Sequence, residues 1–226
     1  MNIGLIVAAG RGYRVGGPLP KQYLPLAGRP ILRHTIEALA RHPAIDAVQV
    51  LIHPDDQALY EQAAAGLEKL LAVRFGGKER QDSVRLGLEA IGALKPETVL
   101  IHDAVRPFIA PETISAVLAV LARGSAAIVG VPLADTLKRV QDGVVSGTLS
   151  RAGLWRAQTP QGFRYQDILQ AHRLALRMAP ETDFTDDSMI AEHAGLRVEM
   201  VLGAEDNFKI TTAADLARAE AMLAGP

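Results

Sequence analysis

Short runs of Ile, Leu and Val alternate with longer stretches of mixed polarity along most of the chain. The runs predict buried strands, because several consecutive apolar residues suit a strand that is covered on both faces. The intervening stretches carry apolar residues at helical spacing. Predicted strands cover 3–9, 48–52, 73–75, 99–101, 127–131 and 198–202, and predicted helices begin near Pro30, Pro54, Gln81, Pro111, Tyr165, Asp186 and Ala213.

This alternation of strand and helix is typical of an α/β fold, in which helices cover both faces of a doubly wound, mostly parallel sheet. The last predicted helix starts with Thr212 and Asp215 at the spacing of a capping box. The sequence contains no internal repeat, low-complexity tract or linker. We therefore expect a single domain over residues 1–226.

The alternation breaks at about 134–158. Residues 136–140 and 144–149 predict two strands joined through Asp142 and Gly143, a strong signal for a type I′ hairpin. An isolated hairpin is only marginally stable in water, so it must pack against something. It either lies on the edge of its own sheet or projects as a β-hairpin arm.

Composition excludes several classes of protein. The chain has 226 residues, 49% of them hydrophobic and 22% charged, with a formal net charge of -1, so no global charge points to nucleic acid or an anionic membrane. The absence of cysteine excludes disulfides, thiolate metal sites and cysteine nucleophiles. The first apolar run is too short for a signal peptide or a membrane span, so we expect a cytoplasmic protein.

The loop after the first predicted strand has the composition of a phosphate site. Glycines allow backbone N–H groups to approach an anion, and cations neutralise it. The loop fits neither the dinucleotide fingerprint nor the P-loop pattern. The alternative is a mobile surface loop with solvated charges. Its glycines are Gly10, Gly12, Gly16 and Gly17, and its cations are Arg11, Arg14 and Lys21.

The string L-I-V-A-A-G-R-G-x-R-x-G-G-x-x-x-K-Q-Y, which contains this loop, resembles the signature of nucleotidyltransferases that charge sugar or polyol phosphates. It is most similar to the 2-C-methyl-D-erythritol 4-phosphate cytidylyltransferase family of the non-mevalonate isoprenoid pathway. Further matching strings extend the resemblance from residue 3 to about residue 220. It implies a Rossmann-like nucleotidyltransferase fold and a homodimer in which the arm clasps a second subunit.

A second string, G-G-x-E-R-x-D-S, spans residues 76–83. Two glycines after a strand let a base approach the backbone, and a serine hydroxyl can bond a pyrimidine edge. The alternative is a glycine turn followed by a helix that Asp82 or Ser83 caps. The resemblance implies that Ala8, Ala9, Gly77 and Ser83 belong to the cytosine-reading loops.

The string H-D-x-x-R begins at His102, just after a predicted central strand, where α/β sheets bind ligands. Asp103 can hold a divalent metal such as Mg²⁺, directly or through water, or accept a hydrogen bond from a ribose hydroxyl. Arg106 can pair with a phosphate or, in a purely structural role, with Asp103. His102 is expected to be structural.

Four later residues are candidates for the acceptor substrate and the reacting phosphate. Each taken singly is an ordinary surface residue, and only their order along the chain makes the set specific. The resemblance implies that Thr136, Arg151 and Thr159 bind methylerythritol phosphate, together with Arg106, and that Lys209 approaches the α-phosphate. Residues 185–188 also match a family segment near the substrate entrance.

The resemblance implies transfer of CMP from CTP to 2-C-methyl-D-erythritol 4-phosphate, with Mg²⁺ and with pyrophosphate as the second product. Arg14, Lys21 and Lys209 are the candidate catalytic residues, and Gly10 and Gly12 join the nucleotide-binding set. One alternative is a ribitol 5-phosphate cytidylyltransferase, which shares most of these motifs. Another is a catalytically silent nucleotide-binding subunit, which would not need these cations together.

Overall fold

The computed structural model describes residues 1–11, 19–179 and 181–225. Strands within these ranges are β1 (Asn2–Ala8), β2 (Pro25–Leu26), β3 (Arg29–Pro30), β4 (Ala47–Ile52), β5 (Arg74–Phe75), β6 (Thr98–Asp103), β7 (Ala126–Pro132), β8 (Leu137–Gln141), β9 (Val144–Leu149), β10 (Trp155–Arg164) and β11 (Val198–Leu202). The α-helices are α1 (Ile31–Ala40), α2 (Gln57–Ala64), α3 (Arg80–Ala90), α4 (Pro111–Ala122), α5 (Tyr165–Met178), α6 (Asp187–His193) and α7 (Ala213–Ala224). Short 3₁₀ turns occupy Lys21–Tyr23, Pro54–Asp56 and Gly92–Leu94.

Seven strands form one sheet in the order β11-β7-β10-β6-β1-β4-β5. Neighbouring strands are parallel, except that β10 runs antiparallel to both β6 and β7. The α/β fold and the mostly parallel sheet predicted from the sequence are confirmed. Because β1 and β6 are parallel neighbours, their carboxyl ends, Ala8 and Asp103, lie at the same edge of the sheet.

A hydrophobic core covers each face of this sheet. Successive side chains of a strand point to opposite faces, so Ile6 of β1 joins one core while Leu5 joins the other. Helices α1, α2 and α4 pack on the first face, and α3, α5 and α6 pack on the second. Helices on both faces explain why the strands read as continuous apolar runs rather than as alternating ones.

Strand β10 was not predicted from the sequence, which indicated no strand between the arm and the helix that begins near Tyr165. It lies between β6 and β7, near the centre of the sheet. Proline and glycine within Trp155–Arg164 argue against a central strand, because proline has no N–H for the ladder. The sheet accommodates Pro160, which follows a cis peptide bond, at a shift of register between Gln158 and Gln161.

The predicted hairpin is confirmed as β8 and β9, which pair only with each other and form no ladder with the main sheet. Both turn residues, Asp142 and Gly143, have positive φ, of 51° and 79°, as a type I′ turn requires. The alternative of an edge hairpin on its own sheet is therefore wrong. The hairpin projects as an arm.

Smaller predictions had mixed outcomes. The capping box of α7 is present: the Thr212 hydroxyl accepts from the backbone N–H of Asp215, and the Asp215 carboxylate accepts from the backbone N–H of Thr212. Helix α3 begins at Arg80, after Glu79, and no side chain caps it, so the capping role considered for Asp82 or Ser83 is wrong. Over the described ranges, no helix is both long and apolar enough to cross a membrane.

Candidate active site

A cavity of about 240 Å³ opens at the carboxyl ends of β1 and β6. Three parts of the chain contribute to its wall: the loop that follows β1 and ends at Lys21 (the first loop), the loop that contains Gly76 and Gly77 (the second loop), and the chain around Lys209. Eight of the predicted site residues meet there, which shows how a sheet edge gathers residues from distant parts of the chain. They are Ala8, Ala9, Gly10, Lys21, Gly77, Ser83, Asp103 and Lys209.

The first loop begins where β1 ends, and a residue that the sequence analysis did not single out holds its start. Gln22 is buried, and its Nε2 donates to the carbonyl oxygens of Ala8 at 2.7 Å and Gly10 at 3.1 Å. The 3₁₀ turn Lys21–Tyr23 places Lys21 in the wall beside it. The only signal for Gln22 in the sequence was its position directly after that lysine.

Three cations of the first loop were predicted, and the structure describes two of them. Arg11 turns away from the cavity: its guanidinium lies 3.0 Å from Asp56 Oδ1 and 2.9 Å from His53 Nδ1, and it also pairs with Asp55. The expectation that Arg11 neutralises bound phosphates is therefore not supported. Arg14, together with Gly12, lies outside the described residues.

The second loop packs closely against the first. A Cβ atom at Gly76 would lie 2.4 Å from the Ala9 Cβ and 2.6 Å from Ser83 Oγ, so only glycine allows this approach. Ser83 Oγ accepts from the N–H of Gly77 at 3.0 Å and donates to the carbonyl oxygen of Glu79 at 3.0 Å. Its second lone pair remains available as an acceptor for a hydrogen-bond donor in the cavity.

Asp103 concentrates the charge of the site. Oδ2 lies 3.1 Å from Lys209 Nζ and 3.2 Å from Arg106 Nε, and Oδ1 lies 3.6 Å from Arg80 Nε. Burial alone would raise the pKa of Asp103, but Lys209, Arg80 and Arg106 together hold it well below its ordinary value. One carboxylate therefore faces three cations, and this corner of the cavity favours an anion.

Arg106 and Thr159, which were predicted to bind substrate, both contact Asp103 in this structure. Arg106 Nη1 donates to the carbonyl oxygen of Asn207 at 2.8 Å, which links the Asp103 loop to the Lys209 segment. Thr159 Oγ1 accepts from the backbone N–H of Asp103 at 3.1 Å. Both residues are buried. Their contact with substrate stays a prediction.

His102 completes this support. The carbonyl oxygen of Arg106 can only accept, so the neutral ring carries its proton on Nε2 and donates to that oxygen at 3.0 Å. Nδ1 therefore accepts from the Thr159 hydroxyl at 2.8 Å. Burial lowers the pKa of His102 to about 4, which keeps the ring neutral and in this tautomer. The structural role expected for His102 agrees with these contacts.

Thr136 and Arg151 are not in the cavity. Both are exposed at the base of the arm, where the Arg151 guanidinium donates to the carbonyl oxygen of Ala134. The single chain brings neither residue to the wall described above. Their predicted contact with the acceptor substrate stays a prediction.

The sequence analysis missed a buried ion pair at the cavity wall. Arg80, the first residue of α3, lies 2.7 Å through Nη1 from Asp187 Oδ2, and Asp187 has no exposed surface. Both residues stood in the matched strings, but nothing in the sequence indicated that they meet.

The comparisons with known proteins agree with this geometry. A family model described as IspD, 2-C-methyl-D-erythritol 4-phosphate cytidylyltransferase, matches residues 3–225. The chain belongs to this family.

Curated IspD relatives are of two lengths. The chain is 57% identical over 222 residues to the bifunctional enzyme IspD/IspF of Paramagnetospirillum magneticum, covering 98% of the chain but 56% of that protein. It is 48% identical over 220 residues to 2-C-methyl-D-erythritol 4-phosphate cytidylyltransferase of Cereibacter sphaeroides, covering 97% of the chain and 96% of that protein. The chain thus spans about half the length of the bifunctional relatives.

Solved IspD structures show the same fold. The 4-diphosphocytidyl-2C-methyl-D-erythritol synthase of Anaerococcus prevotii superposes with a TM-score of 0.86 at 30% identity, covering 99% of this chain and 96% of that one. The Francisella tularensis IspD gives a TM-score of 0.82 at 30% identity, covering 96% and 97%. The Rossmann-like nucleotidyltransferase fold implied by the resemblance is therefore confirmed.

Proposed function

We propose that the chain transfers CMP from CTP to 2-C-methyl-D-erythritol 4-phosphate and releases pyrophosphate. The observation that carries this proposal is the cavity in which two base-reading loops and the cations Lys21 and Lys209 converge beside Asp103. The names of the relatives and the family model support the same substrates.

The reaction needs no covalent intermediate. A phosphate oxygen of the acceptor attacks the α-phosphorus of CTP, a P–O bond forms, and the bond to pyrophosphate breaks on the opposite side. Because both reactants are anions, catalysis consists of holding them in line and stabilising the developing charge. Lys21, with Arg14, serves the triphosphate and Lys209 the α-phosphate. A phosphate dianion is already a nucleophile, so no general base is required.

Mg²⁺ is the proposed cofactor, and Asp103 its protein ligand. Within the described ranges, no cluster of three His, Cys, Asp or Glu side chains is arranged to hold a metal ion. The proposed Mg²⁺ would take one carboxylate from the protein and its other oxygens from the nucleotide and water. Asp103 suits this role because its carboxylate lies in the cavity wall; Arg106 and Lys209 make their closest contacts with Oδ2, at 3.2 and 3.1 Å, and Arg80 makes its closest contact with Oδ1, at 3.6 Å. Bound there, the ion would neutralise charge on the triphosphate.

We also propose a homodimer built through the arm, which would bring Thr136 and Arg151 of one subunit to the cavity of the other. Four apolar side chains on the arm support this proposal, because they are between 41% and 69% exposed in the single chain. They are Val140, Val144, Val145 and Leu149. The cytoplasmic location stays a prediction from the sequence.

An assay of pyrophosphate release over four nucleoside triphosphates and several polyol phosphates tests the function. We expect turnover only with CTP and 2-C-methyl-D-erythritol 4-phosphate, since a site that reads the exocyclic amine leaves its own groups unpaired with UTP. Equal kcat/KM for CTP and UTP would contradict the cytidylyl assignment. Preference for ribitol 5-phosphate would assign the chain to the sibling activity, and absence of turnover with every pair would favour a silent nucleotide-binding subunit.

A further inference from the structure

Arg80 occupies an electrostatically unfavourable position in the cavity wall. It is the first residue of α3, and the N-terminus of a helix carries a partial positive charge that opposes a cation. Its side chain is nevertheless only 26% exposed. An arginine held inward at such a position needs carboxylates that hold it there.

Two carboxylates face Arg80, and they are not equivalent. Asp187 Oδ2 lies 2.7 Å from Nη1, whereas Asp103 Oδ1 lies 3.6 Å from Nε. Burial alone would lower the pKa of Arg80, but Asp187 and then Asp103 raise it above its ordinary value, so the guanidinium stays charged. Asp187 is thus the principal counter-charge of Arg80, and Asp103 makes the longer contact.

Asp187 is itself fixed on three sides. The backbone N–H groups of Asp187 and Ser188 both donate to Gln161 Oε1 at 2.9 Å. His172, also without exposed surface, places Nε2 3.2 Å from Asp187 Oδ1. Burial alone would raise the pKa of Asp187, and Arg80 and His172 hold it below its ordinary value.

Neither Asp187 nor His172 lines the cavity, so no substrate in it touches them. Arg80 does line it, between the second loop and Asp103. A buried anion on α6 therefore sets the direction of an arginine in the wall of the nucleotide cavity. If its charge is removed, Asp103 becomes the nearest carboxylate to Arg80 in the described structure.

We propose that Asp187 is a positioning residue for CTP binding and acts through Arg80, with Gln161 holding its backbone and His172 packed beside its carboxylate. The inference rests on the proposed function. Without the Asp187 charge, Arg80 turns towards Asp103, competes with Lys209 for that carboxylate and takes space beside the second loop. The affinity for CTP falls as a result.

A double-mutant cycle tests this proposal. The variants are Asp187→Asn, Arg80→Gln and the two together, with Glu192→Gln as the matched control. Glu192 is exposed on the same helix, so glutamine removes one acidic charge from α6 and leaves the buried pair untouched. Calorimetric binding of CTP and steady-state kinetics with both substrates are measured for each.

We expect Asp187→Asn and Arg80→Gln each to weaken CTP binding about tenfold, and the double variant to be no weaker than Arg80→Gln, because coupled residues are not additive. KM for the acceptor should stay within about twofold of the wild type in Asp187→Asn, and so should every constant of the control. If Asp187 had only a structural role, Asp187→Asn would weaken binding of both substrates. It would also weaken CTP binding further when added to Arg80→Gln.

The proposal would be overturned if the two fold-losses of CTP affinity multiply in the double variant. It would also be overturned if Asp187→Asn raises only KM for the acceptor. The double variant contains no unpaired buried charge, so it decides the question even if Asp187→Asn alone does not fold. If the double variant also fails to fold, Asp187 serves the fold rather than Arg80, and the proposal is wrong. A wild-type chain that neither binds nor turns over CTP would instead refute the proposed function.

Discussion

Asp103 shows how single residues set the properties of the cavity. Its side chain is 10% exposed, and without partners it would favour the neutral acid. Lys209, Arg80 and Arg106 keep the Asp103 carboxylate charged. Asp103 in turn pairs with Lys209, whose side chain is 38% exposed in the cavity wall. A nucleotide phosphate arriving there finds a lysine that is already oriented, which lowers the entropic cost of the contact.

Lys21 provides the most direct test at this scale. Lys21→Ala is expected to lower kcat/KM at least ~10²-fold, because it removes a cation from a phosphate site that is partly shielded from water. Lys95→Asn is the control: Lys95 is exposed and has a φ of 49°, a left-handed conformation that asparagine tolerates. If Lys21→Ala keeps the wild-type kcat/KM, the assignment of Lys21 to the active site is wrong.

His102 makes the stability of the fold depend on pH. Burial lowers its pKa from 6.5 to about 4, so the unfolded chain takes up the proton first as pH falls. The free energy of unfolding should therefore decrease between these two values and lose roughly 3 kcal/mol in total from this group. Asp103 and Asp187, with lowered pKa values, lose their contributions only at lower pH.

Urea unfolding of the wild type and of His102→Gln from about pH 7 to about pH 4 measures this slope. Glutamine can still accept from Thr159 and donate to Arg106, but it does not titrate. Burial also lowers the pKa values of His34 and His42, and both remain in the variant, so the difference between the two proteins isolates His102. Parallel curves for the two proteins would contradict the prediction.

At the scale of elements, strands β1, β4, β6, β7 and β11 were predictable because runs of Ile, Leu and Val leave a local signal. Strand β10 was not, because its proline and glycine oppose a strand and only its partners β6 and β7 supply the ladder. The short strands β2 and β3, which pair with each other, were also missed.

The site follows the same division. Residues at the carboxyl ends of predicted parallel strands, such as Ala8 and Asp103, could be brought together from the sequence alone. Gln22 and the pair of Arg80 with Asp187 could not, because their roles depend on which atoms meet after folding. Arg11 was misjudged for the same reason: its charge suited a phosphate, but the packing gives it carboxylates instead.

Gly76 lies where the second loop packs against the first, and its replacement tests that contact. The methyl group of Gly76→Ala would overlap Ala9 and Ser83, so we expect the second loop to move outwards and KM for CTP to rise about tenfold or more. In Gly147→Ala the added methyl has no atom within 4 Å, which makes it the control for thermal stability. An unchanged KM for CTP in Gly76→Ala would show that the separation of the loops is not critical.

For the whole molecule, the proposed homodimer would complete the reaction site. In the single chain the cavity contains Lys21 and Lys209, while two residues predicted to bind the acceptor are exposed at the base of an arm. Apolar side chains between 41% and 69% exposed on that arm are costly in water. A second copy that covers them would both stabilise the arm and complete the site.

Complementation between inactive variants tests this arrangement. If each cavity borrows Arg151 from its neighbour, a mixed dimer of Lys21→Ala and Arg151→Ala has one site with both lesions and one with neither. We expect half the wild-type activity per mixed dimer, measured by pyrophosphate release after subunit exchange. Lys21→Ala mixed with Lys209→Ala is the control, because both lysines line the same subunit's cavity and every site then keeps one lesion. No recovery in the first mixture, with exchange shown by mass spectrometry, would mean that the arm serves its own subunit.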